Sequence, residues 1–95
     1  MSLLGLDIGT TGCKAIVFSE ELELLGSAYR EYPLVHPRPG WSELDPASVW
    51  EKVEAAIIEA VAKAGDADPV RAVATSVQGE AACPVDGDGR PLGNS

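Results

Sequence analysis

The sequence predicts an α/β fold with a three-stranded antiparallel meander, a crossover helix and a strand parallel to the first. Three observations support this prediction. Short apolar segments separated by turn residues fill residues 3–32, which is typical of a meander. Apolar side chains recur at helical spacing over residues 46–64, and a run of small apolar residues follows at 70–77. A helix between two strands of one sheet delivers a parallel strand.

The first predicted strand is the apolar run at residues 3–8, typical of a strand that is buried on both faces. Asp7 lies at its end, where burial of an unpaired carboxylate would cost free energy. A cation or a set of hydrogen-bond donors would remove that cost. Asp7 is therefore a candidate functional residue.

A tight turn is predicted to follow, made of Gly9, Thr10, Thr11 and Gly12. The glycines would let the backbone bend sharply, and the amides and hydroxyls could hold phosphate oxygens, with Lys14 as an added charge. A P-loop, GxxxxGKS/T, requires glycine at the position of Lys14, and a dinucleotide fingerprint opens a helix. Here a second strand follows at residues 13–18. The segment is thus either a strand–turn–strand phosphate hairpin or a plain hairpin.

The composition excludes several classes of partner. Seven basic and fifteen acidic residues among 95 give a net charge of −8, which argues against nucleic acid and anionic membranes. Because Asp7 interrupts the leading apolar segment, no signal peptide or membrane span is expected. Cys13 and Cys83 lack CxxC spacing, so we expect reduced, buried thiols in a cytoplasmic protein. A homo-oligomer is left open.

The chain then returns in a third strand and enters a loop. After a turn at residues 19–21, residues 24–32 form the third predicted strand. Three prolines and a glycine make residues 33–45 a loop, which Trp41 is expected to fasten to the body of the domain.

The helix carries the strongest local signals. Asp45 is an expected N-cap, Pro46 occupies the first helical position, and Gly65 is placed to end the helix. Glu59 and Lys63 form an expected exposed pair one turn apart. The apolar positions form one stripe that is predicted to be core: Val49, Trp50, Val53, Ala56, Ile57, Ala60, Val61 and Ala64.

The fourth predicted strand, residues 70–77, reads as another buried strand. If it lies beside the first strand, its carboxyl end brings Gln78, Gly79 and Glu80 near Asp7 and the glycine turn. Ligands of open α/β sheets bind at such carboxyl ends. Beyond it, a short extended piece and a turn are expected at residues 82–86 and 87–89.

Four segments together resemble the FGGY carbohydrate kinases, relatives of actin and the large heat-shock chaperones. Residues 7–15, DIGTTGCKA, resemble the opening phosphate motif of that family. Residues 39–46, PGWSELDP, followed by Trp50, are similar to its tryptophan loop, and residues 77–80 and 84–92 match in order and spacing. The resemblance implies a ribonuclease-H-like fold of the actin-like ATPases. Residues 1–95 would be the amino-terminal part of the first kinase domain, with no second domain in the chain.

The resemblance also implies an enzyme that uses ATP and Mg²⁺ to phosphorylate a hydroxyl of a sugar or polyol. Asp7 would orient the magnesium ion, and Gln78, Gly79 and Glu80 would face the acceptor. The general base and the adenosine site would lie beyond Ser95, so no catalytic residue is assigned here and these residues alone should be inactive. The phosphate turn would be lined by Gly9, Thr10, Thr11, Gly12 and Lys14.

The acceptor and two other classes of function stay open. Glycerol kinases carry arginine where this chain has Gly79, and xylulose kinases carry Met-His after the glutamine, so neither acceptor is assigned. A polyol, a pentulose or a related sugar fits the general pattern. A non-catalytic nucleotide-binding protein of the actin or chaperone type would share residues 7–14 but not residues 39–50. A free-standing protein-interaction module would need neither.

Overall fold

The computed structural model describes residues 1–79 and 81–95. The strands form one sheet in the order β3-β2-β1-β4, in which β2 runs antiparallel to β1 and β3, and β4 runs parallel to β1. The predicted elements and strand directions are confirmed. The elements are β1 (Ser2–Ile8), β2 (Gly12–Ser19), β3 (Leu24–Glu31), α1 (Pro46–Ala64) and β4 (Val70–Val77).

Only one face of the sheet is well buried. Leu4 of β1 lies opposite Val17 of β2, and both side chains are buried beneath α1, which packs on β2 and β3. The alternate positions Leu3 and Gly5 are half-buried, and Asp7 is exposed. The prediction that β1 is buried on both faces is therefore wrong, because α1 covers one face and no described residue covers the other.

Both ends of α1 follow the local signals. The Asp45 carboxylate accepts a hydrogen bond from the Ala47 amide at 3.0 Å, and Pro46 occupies the first turn. Gly65 has a φ of +81°, a left-handed conformation that favours glycine, and its N–H donates to the Val61 carbonyl at 3.2 Å. The predicted helix boundaries are confirmed.

The apolar stripe of α1 is core only along its centre. Val53, Ala56 and Ala60 are fully buried, whereas Trp50 is 62% exposed and Val61 is 39% exposed. Because α1 packs chiefly on β2 and β3, side chains at the edges of the stripe are left partly exposed. The prediction of a single buried stripe is wrong at those two positions.

The strand β4 is present as predicted, but its expected burial is wrong. Every position from Arg71 to Val77 is exposed, including Val73 at 58% and Val77 at 61%. The strand lies at the edge of the sheet, away from the helix, so its apolar side chains gain cover only from β1. The pattern of a sequence indicates which side chains are apolar, but it does not indicate which strands the helix will cover.

The loop at residues 33–45 is fastened by Leu44 rather than by Trp41. Trp41 is 51% exposed, and the Arg38 guanidinium lies over its ring at 4.9 Å from the centroid. Leu44 is 5% exposed, and its N–H and C=O pair with Ser95 at 3.0 and 2.9 Å. The expected anchoring role of Trp41 is wrong, because its indole contacts its own loop.

Asp86 accepts hydrogen bonds from the amides of Asp88 and Arg90, which forms the turn expected at residues 87–89. Cys13 is a buried free thiol as expected, whereas Cys83 is a free thiol that is partly exposed. No helix in the described part of the chain is long and apolar enough to cross a membrane.

A salt-bridge network ties α1 to β3. The Glu59 carboxylate lies 2.7 Å from Arg30 Nη2 and 2.9 Å from Lys63 Nζ, so the predicted pair with Lys63 is confirmed and Arg30 is an addition. The hydrogen bond from Arg30, followed by that from Lys63, lowers the pKa of Glu59. A carboxyl whose pKa falls on folding stabilises the native state above its unfolded pKa, and this contribution is lost as the pH falls through the folded pKa.

We expect Glu59→Gln to reduce the free energy of unfolding near neutral pH and to have no effect at a pH well below about 4.3, the ordinary pKa of glutamate. Denaturant unfolding across this range would measure the difference. Glu54→Gln is the matched control, because Glu54 is an exposed residue of the same helix without an ion pair to a described residue. A difference that is independent of pH would contradict the proposed charge interaction.

We expect Gly26→Ala to destabilise the fold by about 1–3 kcal/mol, because a Cβ at Gly26 would overlap the Ala60 carbonyl oxygen and lie 2.8 Å from the Ala64 nitrogen. Gly5→Ala is the control, since its Cβ would meet its nearest neighbours at an ordinary 3.9 Å. The midpoint of urea unfolding would compare the two variants. Equal effects would show that α1 does not approach β3 as closely as described.

Candidate functional site

The turn between β1 and β2 is closed by its own backbone and approached closely by β3. The Gly9 amide donates to the Gly12 carbonyl at 2.9 Å. A Cβ at Gly12 would lie 2.6 Å from the Arg30 carbonyl oxygen, so a side chain there would displace β3. Neither glycine has a positive φ. The bend of the turn therefore does not depend on a backbone conformation that only glycine favours. At Gly12, glycine is needed because β3 approaches too closely to leave room for a side chain.

The tip of the turn presents hydrogen-bond donors to solvent. Thr10 and Thr11 are exposed, and neither backbone amide donates to another residue of the described ranges. Adjacent free amides and hydroxyls of this kind can bind an anion. The geometry is therefore compatible with a phosphate hairpin.

Asp7 and Lys14 face each other across the base of this hairpin. They are register partners on β1 and β2, both are exposed, and neither forms an ion pair with a described residue. The expectation that Asp7 lies at a buried strand end is wrong, because it projects from the uncovered face of the sheet. Asp7 is instead a solvated carboxylate beside a group of donors.

The uncovered face of the sheet forms a shallow groove next to this pair. Its volume is about 350 Å³, with Ile16 and Phe18 on the apolar part and Asp7, Lys14 and Ser76 on the polar part. The groove begins at the base of the hairpin, so a molecule bound along it could reach the Asp7 carboxylate.

The carboxyl end of β4 reaches the same hairpin. Because β4 runs parallel to β1 with Val77 opposite Ile8, the Gln78 amide donates to the Ile8 carbonyl at 3.2 Å. The Thr10 hydroxyl donates to Gln78 Oε1 at 3.2 Å. The expected meeting of this strand end with the turn is confirmed for Gln78; Gly79 follows it in an exposed position, and Glu80 lies outside the described residues.

A second cleft, which Asp7 does not line, opens beside Gln78. It has a volume of about 510 Å³, within the range of small-molecule sites. Ser42 and Glu43 line this cleft together with Thr10 and Gln78. Sequence reasoning did not find Ser42 and Glu43, because they lie in an irregular loop and reach the cleft only through the folding of residues 33–45.

Residues 2–95 match the FGGY family of carbohydrate kinases, N-terminal domain. The chain belongs to the FGGY family. The partial ribonuclease-H-like fold of the actin-like ATPases, predicted from the four sequence segments, is thereby confirmed together with the recognition of the family.

Relatives with different named substrates share this domain. The glycerol kinase of Thermococcus onnurineus is 38% identical over 94 residues, which are 98% of this chain and 19% of that protein. The crystal structure of xylulose kinase from Rhodospirillum rubrum superimposes with a TM-score of 0.92 and 32% identity over 99% of this chain and 20% of that one. The gluconate kinase of Lactobacillus acidophilus gives 0.89 and 25% over 98% and 18%. The FGGY chain thus spans about one fifth of the length of these relatives.

Tyr32 is the main residue of this FGGY site that sequence reasoning missed. It is 4% exposed and lies directly after β3, where its hydroxyl donates to the carbonyls of Gly9 and Gly12. Burial raises the pKa of Tyr32, so the hydroxyl keeps its proton through the physiological range. A tyrosine before a proline carries no sequence signal that its side chain reaches a turn some twenty positions earlier.

Proposed function

We propose that the protein containing this domain transfers a phosphoryl group from ATP to a hydroxyl of a sugar or polyol. The observation that carries the proposal is the 3.2 Å hydrogen bond between the Thr10 hydroxyl and Gln78 Oε1, which joins the phosphate hairpin to the end of β4. Phosphoryl transfer depends chiefly on holding the donor and the acceptor next to each other with their charges compensated. Membership of a carbohydrate kinase family supports the same reaction.

In this proposal the hairpin binds the phosphates of the nucleotide. The free amides of Thr10 and Thr11 and their hydroxyls would donate to phosphate oxygens, and the Lys14 ammonium would add a positive charge. Gly9 would present no side chain to the phosphates, and Gly12 permits the close approach of β3. Several donors compensate for the net charge of −8, which by itself would repel an anion.

Asp7 fits a magnesium ion that is shared with the nucleotide. No group of three or more acidic, histidine or cysteine side chains that could hold a metal is found among residues 1–79 and 81–95. Mg²⁺ is commonly held by one or two carboxylates together with substrate phosphates, and an exposed carboxylate beside the hairpin meets that requirement. The ion, when bound, would neutralise charge on the phosphates.

The acceptor would bind where Gln78, Gly79 and Glu80 follow β4. The Gln78 side chain faces a cleft of about 510 Å³ with polar and apolar walls, which suits a small molecule with several hydroxyls. The relatives named for glycerol, xylulose and gluconate support a polyol or sugar as the class, without choosing among them. The small Gly79 would leave room beside the glutamine.

We further propose that residues 1–95 form the amino-terminal part of the first domain of such a kinase. The general base and the adenosine site would then come from other parts of the full-length protein. This chain spans about one fifth of the length of its relatives. The protein would act in the cytoplasm, where ATP and sugar substrates are both available.

The first test is ADP release from MgATP by the full-length protein, measured across a panel of polyols and ketoses. We expect release that depends on one acceptor class. Nucleotide binding without any acceptor-stimulated release would contradict the kinase proposal and favour a nucleotide-binding relative of the actin type.

We expect Asp7→Asn in the full-length protein to reduce kcat/KM for MgATP by about 100-fold or more, because a carboxylate that holds the metal would be lost. The Mg²⁺ concentration that gives the half-maximal rate should be higher in the same variant. Asp66→Asn is the control, since Asp66 is exposed beyond the end of α1. Unchanged phosphoryl transfer in Asp7→Asn would remove this residue from the proposed metal site.

We expect Gln78→Ala to raise the KM for the acceptor by about tenfold, the usual consequence of losing one or two hydrogen bonds. The KM for MgATP should change less, because the Gln78 side chain bonds to the hairpin through the Thr10 hydroxyl, and the backbone bond from the Gln78 amide to Ile8 is kept in the variant. Steady-state kinetics with each substrate varied in turn would separate the two constants. An unchanged acceptor KM would exclude Gln78 from the acceptor site.

A further inference from the structure

Tyr32 makes three hydrogen bonds to one short turn. Its hydroxyl donates to the carbonyl of Gly9 and, at 3.1 Å, to that of Gly12, so one proton is shared between two acceptors. Its backbone amide donates to the Thr11 carbonyl at 3.2 Å. Three carbonyls of the hairpin therefore point toward the same buried residue.

The direction of these carbonyls decides where the amides of the turn point. A trans peptide group is planar, and its N–H points opposite to its C=O. Because the Gly9 carbonyl points inward to the Tyr32 hydroxyl, the Thr10 N–H in the same peptide group points outward. That amide donates to no other residue among those described, and Thr10 is exposed.

We propose that Tyr32 is a positioning residue: its hydroxyl holds the Gly9 and Gly12 carbonyls inward and thereby aims the Thr10 amide at a phosphate of the bound nucleotide. This inference rests on the proposed phosphate-binding role of the hairpin. Tyr32 itself touches neither substrate. The hydroxyl acts through the backbone, so its removal alters donor geometry without removing a donor.

The alternative is a buried tyrosine that merely satisfies its hydroxyl with the nearest carbonyls. Such a tyrosine would contribute to stability, and its loss would affect both substrates alike. A positioning residue would affect nucleotide binding selectively. The two roles are therefore separated by comparing the nucleotide with the acceptor.

Tyr32→Phe removes only the hydroxyl and keeps the buried ring. Tyr29→Phe is the matched control, because the Tyr29 hydroxyl also lies beside Gly12 but makes no hydrogen bond to a described residue, and its side chain is 47% exposed. In the full-length protein we expect the Kd for MgADP to rise about five- to tenfold in Tyr32→Phe, as for the loss of about one hydrogen bond. The acceptor KM should stay within about twofold of wild type, and Tyr29→Phe should change neither constant.

Amide hydrogen exchange in the nucleotide-free protein tests the hairpin independently of catalysis. The Gly9 amide, bonded to the Gly12 carbonyl, should exchange about five- to tenfold faster in Tyr32→Phe and at the wild-type rate in Tyr29→Phe. If the wild-type protein releases no ADP with any acceptor, the proposed kinase function fails, while exchange and MgADP binding still decide the role of Tyr32.

Unchanged Gly9 exchange with an unchanged MgADP Kd in Tyr32→Phe would overturn the inference. Equal increases of the MgADP Kd and the acceptor KM, with a lower Tm, would overturn it in favour of a purely structural role. Should Tyr32→Phe not fold, the wild-type protein decides: a Gly9 amide without protection from exchange contradicts a pinned turn, and a protected one supports it.

Discussion

The structure depends on the pairing of β1 with a strand on each side. β2 satisfies one edge of β1 in antiparallel fashion, and β4 satisfies the other in parallel. The end of β1 is therefore the one point where the hairpin and the end of β4 can meet. Since side chains alternate along a strand, a slip of β4 by one residue would move Gln78 away from Thr10. The candidate site is thus a consequence of strand register.

Close approach at two glycines defines the geometry around this point. A missing side chain at Gly12 lets β3 approach the hairpin, and a missing side chain at Gly26 lets α1 lie directly on β3. The salt bridge between Glu59 and Arg30 adds a polar link between the same helix and strand. The hairpin is consequently supported from behind by β3 and, through β3, by the helix.

The overall charge of the chain and that of the proposed phosphate ligand have the same sign. A chain with a net charge of −8 disfavours anions at long range, so phosphate binding requires short-range donors. The turn provides these donors because its carbonyls are occupied on the inner side, two of them by the Tyr32 hydroxyl and one by the Tyr32 amide. Asp7, exposed at the base of the turn, would repel phosphate unless a cation lay between them. The donors of the turn and the adjacent carboxylate therefore suit a nucleotide that binds together with a divalent ion.

The sequence by itself determined the order and type of the elements, the ends of α1 and the position of the turn. These features depend on local signals: Asp45 and Pro46 at the start of the helix, Gly65 at its end, and the apolar runs of the strands. It also predicted the parallel direction of β4, because the crossover rule needs only the order of elements; Gln78 was then expected near the turn on the condition that β4 lies beside β1, as it does.

Tertiary structure alone decided which apolar side chains are buried and which residue holds the hairpin. Trp50, Val77 and Asp7 are exposed because α1 packs chiefly on one face of β2 and β3, and no periodicity in the chain encodes that choice. The contact of Tyr32 with Gly9 joins residues 23 positions apart through a side chain that has no local signature. Such contacts arise from the path of β3 beside the turn, and a pattern of neighbouring residues cannot specify them.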